Sequence, residues 1–169
     1  EASKSSMDIL STSYVRTYGV PVVTTRFGNI YGSGDNNFTR IVPGMMRTIL
    51  SGDTLVLRSD GTFVRDYVYV KDVVGAYMFL LSSLDKAKGN AYNIASGVSF
   101  SVLDLIKKTG WVLKKKIPYM IANTAKNEIP YQQLDFSKIQ KLGWRPRYTL
   151  SRGMKETYAW YRKHKLLFV

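Results

Sequence analysis

Residues 58–81, RSDGTFVRDYVYVKDVVGAYMFLL, set an arginine and a carboxylate, Arg65 and Asp66, inside a stretch that is otherwise mostly β-branched and aromatic. A guanidinium removed from water needs an anionic partner to offset the lost hydration. Three partners would serve Arg65: Asp66, another carboxylate, or the phosphate of a ligand. A structural ion pair answers the need as well as anion binding does, because buried charges often simply pair with each other. The second stretch of interest lies upstream. Residues 27–38, FGNIYGSGDNNF, hold three glycines and three asparagines directly after the β-branched run VPVVTTR. Loops at the carboxyl ends of strands in α/β sheets are where ligands bind, and glycine lets a backbone approach a ligand closely.

Other chemistries are closed by composition. The 169 residues include no cysteine and one histidine, His164, so disulfides, thiolate catalysis and histidine or cysteine metal clusters are excluded. His164 stands between Lys163 and Lys165 in a basic terminal helix, a poor setting for a triad base, which needs a third group to orient it. The net charge is +13, from 25 Lys and Arg against 12 Asp and Glu. Such an excess suits a polyanion, a membrane surface or a phosphorylated substrate. Only Lys114 to Lys116 and Arg162 to Lys165 form basic runs, however, and both read as solvated faces. The aromatic residues fall at core spacing and are not interleaved with the runs, so neither a nucleic-acid nor a membrane partner is expected. No apolar run reaches membrane-spanning length and no signal peptide is recognisable, which leaves the cytoplasm as the expected compartment.

The elements that must position Arg65 and the glycine-rich loop follow from periodicity. Met7, Leu10, Tyr14 and Tyr18 fall at helical spacing before Gly19 as a C-cap. Residues 20–26 read as a buried parallel strand. Thr39 or Asn37 is placed to cap a helix with Pro43 in its first turn and Gly52 at its end. Residues 55–57 form a short strand, and residues 62–70 form a longer one that alternates Phe63, Arg65, Tyr67 and Tyr69 against Val64, Asp66, Val68 and Val70. Asp72 reads as the N-cap of a helix whose Val73, Val74, Tyr77, Leu80 and Leu81 share a face. Further strands are expected at 90–96 and 118–122. Ser101 has capping-box spacing before a helix through Leu103, Ile106 and Lys107, and Ser137 has it before a short helix ended by Gly143. Glu128 lies in an extended stretch, and a last helix runs over 151–163.

Taken in order, these pieces resemble the extended short-chain dehydrogenase/reductases of the NAD-dependent epimerase/dehydratase family, nearest the CDP-glucose 4,6-dehydratases with UDP-glucose 4-epimerases and dTDP-glucose 4,6-dehydratases behind, a non-catalytic nucleotide-sugar-binding module being the alternative. The markers are Ser3-Lys4, matching the end of a Tyr-x-x-x-Lys motif; Arg26-Phe27-Gly28-Asn29-Ile30-Tyr31-Gly32; Arg40-Ile41-Val42-Pro43; Arg65-Asp66-Tyr67 through Asp72; Leu142-Gly143-Trp144 with Pro146; and Trp160-Tyr161. The resemblance implies an α/β fold: the C-terminal part of a Rossmann-type parallel sheet plus a smaller α/β substrate-binding domain. It assigns residues 1–36 to the NAD-binding domain and 37–169 mainly to the substrate domain, with 62–83 returning to the Rossmann sheet. It implies NAD as cofactor, with Lys4 on the nicotinamide ribose and favouring the ionised form of a tyrosine base, and Phe27 and Ile30 lining the nicotinamide pocket. A nucleotide-diphosphate sugar is the implied substrate, with Asn29 and Arg65 on the diphosphate, Arg40, Ile41 and Arg58 around the base, and Glu128 at the ribose. Relatives often carry an Arg three residues before that acid, where this chain has Ala125 beside Lys126. The family's catalytic tyrosine falls just before Glu1 and its dinucleotide loop further upstream. The expectation is therefore a stretch inactive alone, partnered by a missing N-terminal half or by a second copy.

Overall fold

The computed structural model describes residues 2–125 and 128–167. In chain order the elements are α1 (Ala2–Tyr18), β1 (Thr24–Phe27), β2 (Asn29–Tyr31), α2 (Ile41–Ser51), β3 (Leu55–Leu57), β4 (Val64–Tyr69), α3 (Val70–Ser82), α4 (Leu84–Ala87), β5 (Ala91–Ile94), β6 (Ser99–Ser101), α5 (Val102–Leu113), β7 (Tyr119–Ile121), β8 (Tyr131–Gln132), α6 (Ser137–Leu142) and α7 (Leu150–Lys163). The α/β class expected from sequence is the one found, with parallel pairing predominating. β1 runs parallel to β5, from Thr24↔Ala91 to Phe27↔Ile94. β4 is the hub of a second sheet, parallel to β2 and β8 and antiparallel to β6, with β6 and β8 on opposite edges because both pair with Val64 and Arg65. β3 and β7 form a separate parallel pair.

Two apolar clusters hold these layers. One gathers Met45 and Met46 of α2, Leu105 and Ile106 of α5, and Met154 and Tyr161 of α7 against Tyr67 and Tyr69 of β4. The other packs Ala76 and Leu80 of α3 and Ile139 of α6 on Tyr92 and Ile94 of β5, with Trp144 closing it. A fully buried Ile or Leu in such a cluster contributes about 1.5–3 kcal/mol. β4 is buried on both faces, Asp66 and Val68 on one and Tyr67 and Tyr69 on the other.

Several local expectations need correction. The strand expected at 20–26 is formed only from Thr24 onward. The glycine-rich segment is not all loop, because Asn29–Tyr31 pairs with β4. The bend between β1 and β2 falls at Gly28, where a Cβ would stand 2.8 Å from the Asp66 carbonyl oxygen, so only glycine fits without displacing β4. α2 is capped at its N-terminus by neither Thr39 nor Asn37: Arg40 holds the N-cap position without a side-chain bond, and Asn37 Oδ1 instead accepts from Thr39. The α2 C-cap at Gly52 is as expected, with φ 84°. Asp72 is not a cap either. It lies inside the first turn of α3, buried, and accepts from the backbone N–H of Arg147 at 2.7 Å and of Tyr148 at 3.1 Å. Ser101 does cap α5, accepting from the Asp104 N–H at 3.1 Å. Before α6 it is Asp135 that accepts, from the Ser137 N–H, while Ser137 itself caps nothing.

The apolar face expected on α3 divides in two. Val73, Ala76 and Leu80 are buried, whereas Val74, Tyr77, Met78 and Leu81 are exposed. A helix apolar around so much of its circumference belongs between layers.

Candidate functional site

Asn29 and Arg65 come together through strand register. β2 and β4 pair in parallel with Asn29 opposite Tyr67. Tyr67 is two residues from Arg65, and residues i and i+2 of a strand share a face. Both side chains therefore lie on one side of the β2–β4 sheet. The Asn29 side chain is exposed and makes no hydrogen bond among the described residues. Arg65 is held more firmly. Its side chain is 14% exposed, Nη1 donates to the Val64 carbonyl at 2.9 Å, and Nη2 stands 3.6 Å from Glu128 Oε2. Phe63 lies under the guanidinium, 5.8 Å from its ring centre.

Arg65 and Glu128, both singled out from sequence, thus meet in one ion pair. At 3.6 Å the pair is longer than a hydrogen bond, and a guanidinium carries five N–H donors. With one of them on a carbonyl, the remainder form a partly buried, cationic donor array on the sheet face that Asn29 shares. Such an array matches the two-point geometry of a phosphate or carboxylate.

The other predicted residues make contacts of their own. The Arg58 carbonyl accepts from the Ala125 N–H at 2.7 Å, which ties Arg58 to the segment leading to Glu128. Lys126 lies outside the described residues. The Arg40 side chain is engaged by Asp35 at 3.1 Å, and Ile41 opens α2 half-buried against the core. Phe27 turns to α3, 5.5 Å from the Tyr77 ring, while Ile30 is 41% exposed. Lys4 sits exposed on the first turns of α1 with no carboxylate partner among the described residues. Two clefts flank α1, one around Asp8 and Arg26 and one around Met7, Leu10 and Tyr14; neither is lined by Lys4, Asn29 or Arg65.

Two contributors went unassigned in the sequence. Tyr67 lies directly across from Asn29, and burial pushes its phenol up to about 12 despite the opposing charge of Arg65. It was visible as part of the Phe63, Arg65, Tyr67 alternation, but nothing in the pattern linked it to Asn29. Asp66, on the opposite face, accepts from the Ser96 N–H at 3.1 Å and hydroxyl at 3.2 Å through Oδ1, while Oδ2 has no partner. Burial raises its carboxyl above the usual range, and the Ser96 bonds only partly oppose this. Its carbonyl and Cβ bound the space at Gly28 and so set the path of the chain into Asn29.

The sequence profile of the NAD dependent epimerase/dehydratase family matches residues 1–95. The chain belongs to that family. Beyond the profile, the chain is 33% identical over 168 residues to a trifunctional UDP-glucose 4,6-dehydratase/UDP-4-keto-6-deoxy-D-glucose 3,5-epimerase/UDP-4-keto-L-rhamnose-reductase of Arabidopsis thaliana, covering 96% of this chain and 24% of the plant protein. Among solved structures it is similar to the dTDP-glucose 4,6-dehydratase of Bacillus anthracis in complex with NAD, with a TM-score of 0.82 and 27% identity over 95% of this chain and 51% of that one. It is also similar to the UDP-glucose 4-epimerase of Thermotoga maritima with UDP-glucose, with a TM-score of 0.81 and 29% identity over 95% of this chain and 52% of that one. The chain therefore spans about half the length of these solved family members and about a quarter of the plant enzyme.

Proposed function

We propose that this chain supplies the nucleotide-sugar-binding part of an NAD-dependent nucleotide-sugar 4,6-dehydratase, with a pyrimidine nucleoside diphosphate glucose, CDP-glucose in the first instance, as substrate. The observation that carries this reading is the shared face of Asn29 and Arg65, with a mostly buried guanidinium held loosely enough by Glu128 to accept an anion. Arg65 clamps the diphosphate, Asn29 donates its amide to it, and Glu128 turns to the ribose hydroxyls as the anion takes its place beside the guanidinium. Arg58 borders the base from the segment next to Glu128, with Arg40 and Ile41 at the start of α2. In this reading residues 1–36 belong to the cofactor domain and 37–169 mainly to the substrate domain, with 62–83 rejoining the parallel sheet.

The residues assigned to NAD fit that role in one respect: the Lys4 ammonium is exposed and uncommitted, and Ile30 presents an apolar surface. Bound NAD would accept a hydride from the sugar and later return it. Lys4 would hydrogen-bond the nicotinamide ribose, and its positive charge would favour the ionised form of a nearby phenol. The uncovered apolar faces of α1 and α3 are sites for a further part of the enzyme or a second copy, and this stretch alone does not turn over substrate. Epimerisation is the second reading, supported by the similarity to the Thermotoga epimerase, and it uses the same binding residues.

Calorimetric titration with CDP, UDP and dTDP tests the assignment. Charge-assisted hydrogen bonds contribute about 1.5–3 kcal/mol, so Arg65→Ala is expected to weaken binding roughly 10- to 100-fold, with a smaller loss for Asn29→Ala. Failure of all three nucleotides to bind, or an Arg65→Ala variant that binds like the parent, would overturn it.

A further inference from the structure

The outer face of α5 carries a large aromatic residue with no packing function. Leu105, Ile106 and Thr109 face the core, and on the opposite side Trp111 is 82% exposed. Residues three and four apart are neighbours on a helix surface. That rule puts Lys107 and Lys108 one turn before Trp111, and Lys114, Lys115 and Lys116 follow it at the helix end. Among the described residues none of these five lysines lies within ion-pair distance of a carboxylate. Lys108 extends over the Phe100 ring at 5.2 Å. The acidic residue on the same face, Asp104, is engaged at the N-terminus by the Ser101 hydroxyl at 2.7 Å.

Favourable charge at a helix C-terminus accounts for some of the lysines. It does not account for Lys114 in the left-handed conformation, φ 52°, at the position where glycine is usual. Nor does it account for an indole left in water at their centre.

We propose that this face docks on the surface of an anionic phospholipid bilayer. Shape and residue type select this partner. Tryptophan is enriched at membrane interfaces, where its amphipathic ring sits at headgroup level, and lysines on flexible stems reach anionic headgroups around it. Each Lys brought near an anionic leaflet multiplies affinity about five-fold, so four or five of them with one interfacial aromatic give reversible attachment. Single-stranded nucleic acid is favoured by a groove with successive aromatic platforms. Here the surface is one convex helix with a single ring and no arginine. The expectation from sequence of a solvated face and no membrane partner gives way here to an interfacial patch, because Trp111 stands exposed among the lysines.

The test is flotation of the full chain with vesicles of phosphatidylcholine alone and of phosphatidylcholine with about one third phosphatidylserine. Partition is expected only onto the anionic vesicles, and it should fall steeply as salt is raised. The triple variant Lys114→Glu, Lys115→Glu, Lys116→Glu should lose it at least ten-fold. Trp111→Ala, with an unchanged melting temperature because the ring packs against nothing, should weaken it several-fold at constant charge. The proposal fails if anionic vesicles do not bind the chain, if Trp111→Ala binds them as well as the parent, or if single-stranded RNA competes the chain off the vesicles at equal charge. Because no nucleotide is present, the result does not depend on the sugar-nucleotide assignment.

Discussion

At the scale of single residues, the two charges in β4 have opposite fates. Arg65 keeps partial access to solvent and a carboxylate at 3.6 Å, whereas Asp66 is buried with one oxygen unpartnered. A carboxyl whose ionisation is disfavoured in the folded chain binds its proton more tightly there than when unfolded. Its contribution to stability is then fully present below the unfolded value and declines as pH rises through the folded one. Asp66→Asn keeps an oxygen for Ser96 and removes that titration. Urea unfolding at about pH 4 and about pH 7 should show the stability difference, variant minus parent, moving in the variant's favour as pH rises. A difference that stays flat between the two would mean that burial does not disfavour ionisation of this carboxyl. Arg65 was legible from sequence because it interrupts an apolar alternation. The role of Asp66 was not, because Ser96 lies thirty positions away and no local pattern joins them.

At the scale of elements, local signals located most helices and strands but misassigned how some of them are tied. Glycine and serine signals were right at Gly52 and Ser101, where the bond closes within a turn, but not at Ser137, which caps nothing. They were wrong at Asp72, whose spacing before an apolar run looks like a cap. Its carboxylate instead bonds two N–H groups 75 and 76 positions away, joining α3 to the loop before α7. The same limit applies to Asn29–Tyr31, which reads as loop by composition and becomes a strand because β4 offers it a partner. Removing the Asp72 carboxylate leaves the Arg147 and Tyr148 N–H groups unpaired in a part-buried site. Asp72→Ala is therefore expected to cost about 3 kcal/mol, and Asp72→Asn less, since one acceptor survives. Denaturant midpoints of the two variants check this; equal and negligible losses would show that the bond pair is dispensable.

At the scale of the whole molecule, the parallel pair β1–β5 is layered on both sides, yet both layers leave apolar side chains exposed. α1 reaches β1 through the ion pair of Asp8 with Arg26, and α3 reaches it through Tyr77, whose hydroxyl accepts from Thr25 at 3.3 Å. No described residue of α1 is buried. Met7, Ile9, Leu10, Tyr14 and Tyr18 on α1, and Val74, Tyr77, Met78 and Leu81 on α3, remain exposed. Sequence periodicity placed most of these residues, though not Ile9 or Met78, on helical stripes, but periodicity reports only that a stripe is apolar, not what covers it. Scattered exposed apolar residues are ordinary, whereas contiguous patches beyond a few hundred Å² mark contact surfaces. The chain is therefore expected to self-associate through these faces when studied by itself. Analytical ultracentrifugation should find species heavier than the monomer at micromolar concentration. Leu10→Glu combined with Leu81→Glu should shift them toward the monomer with the far-ultraviolet spectrum unchanged, because both side chains are exposed and a charge there costs the fold little. A parent chain that sediments as a single monomeric species would show that these faces need no cover.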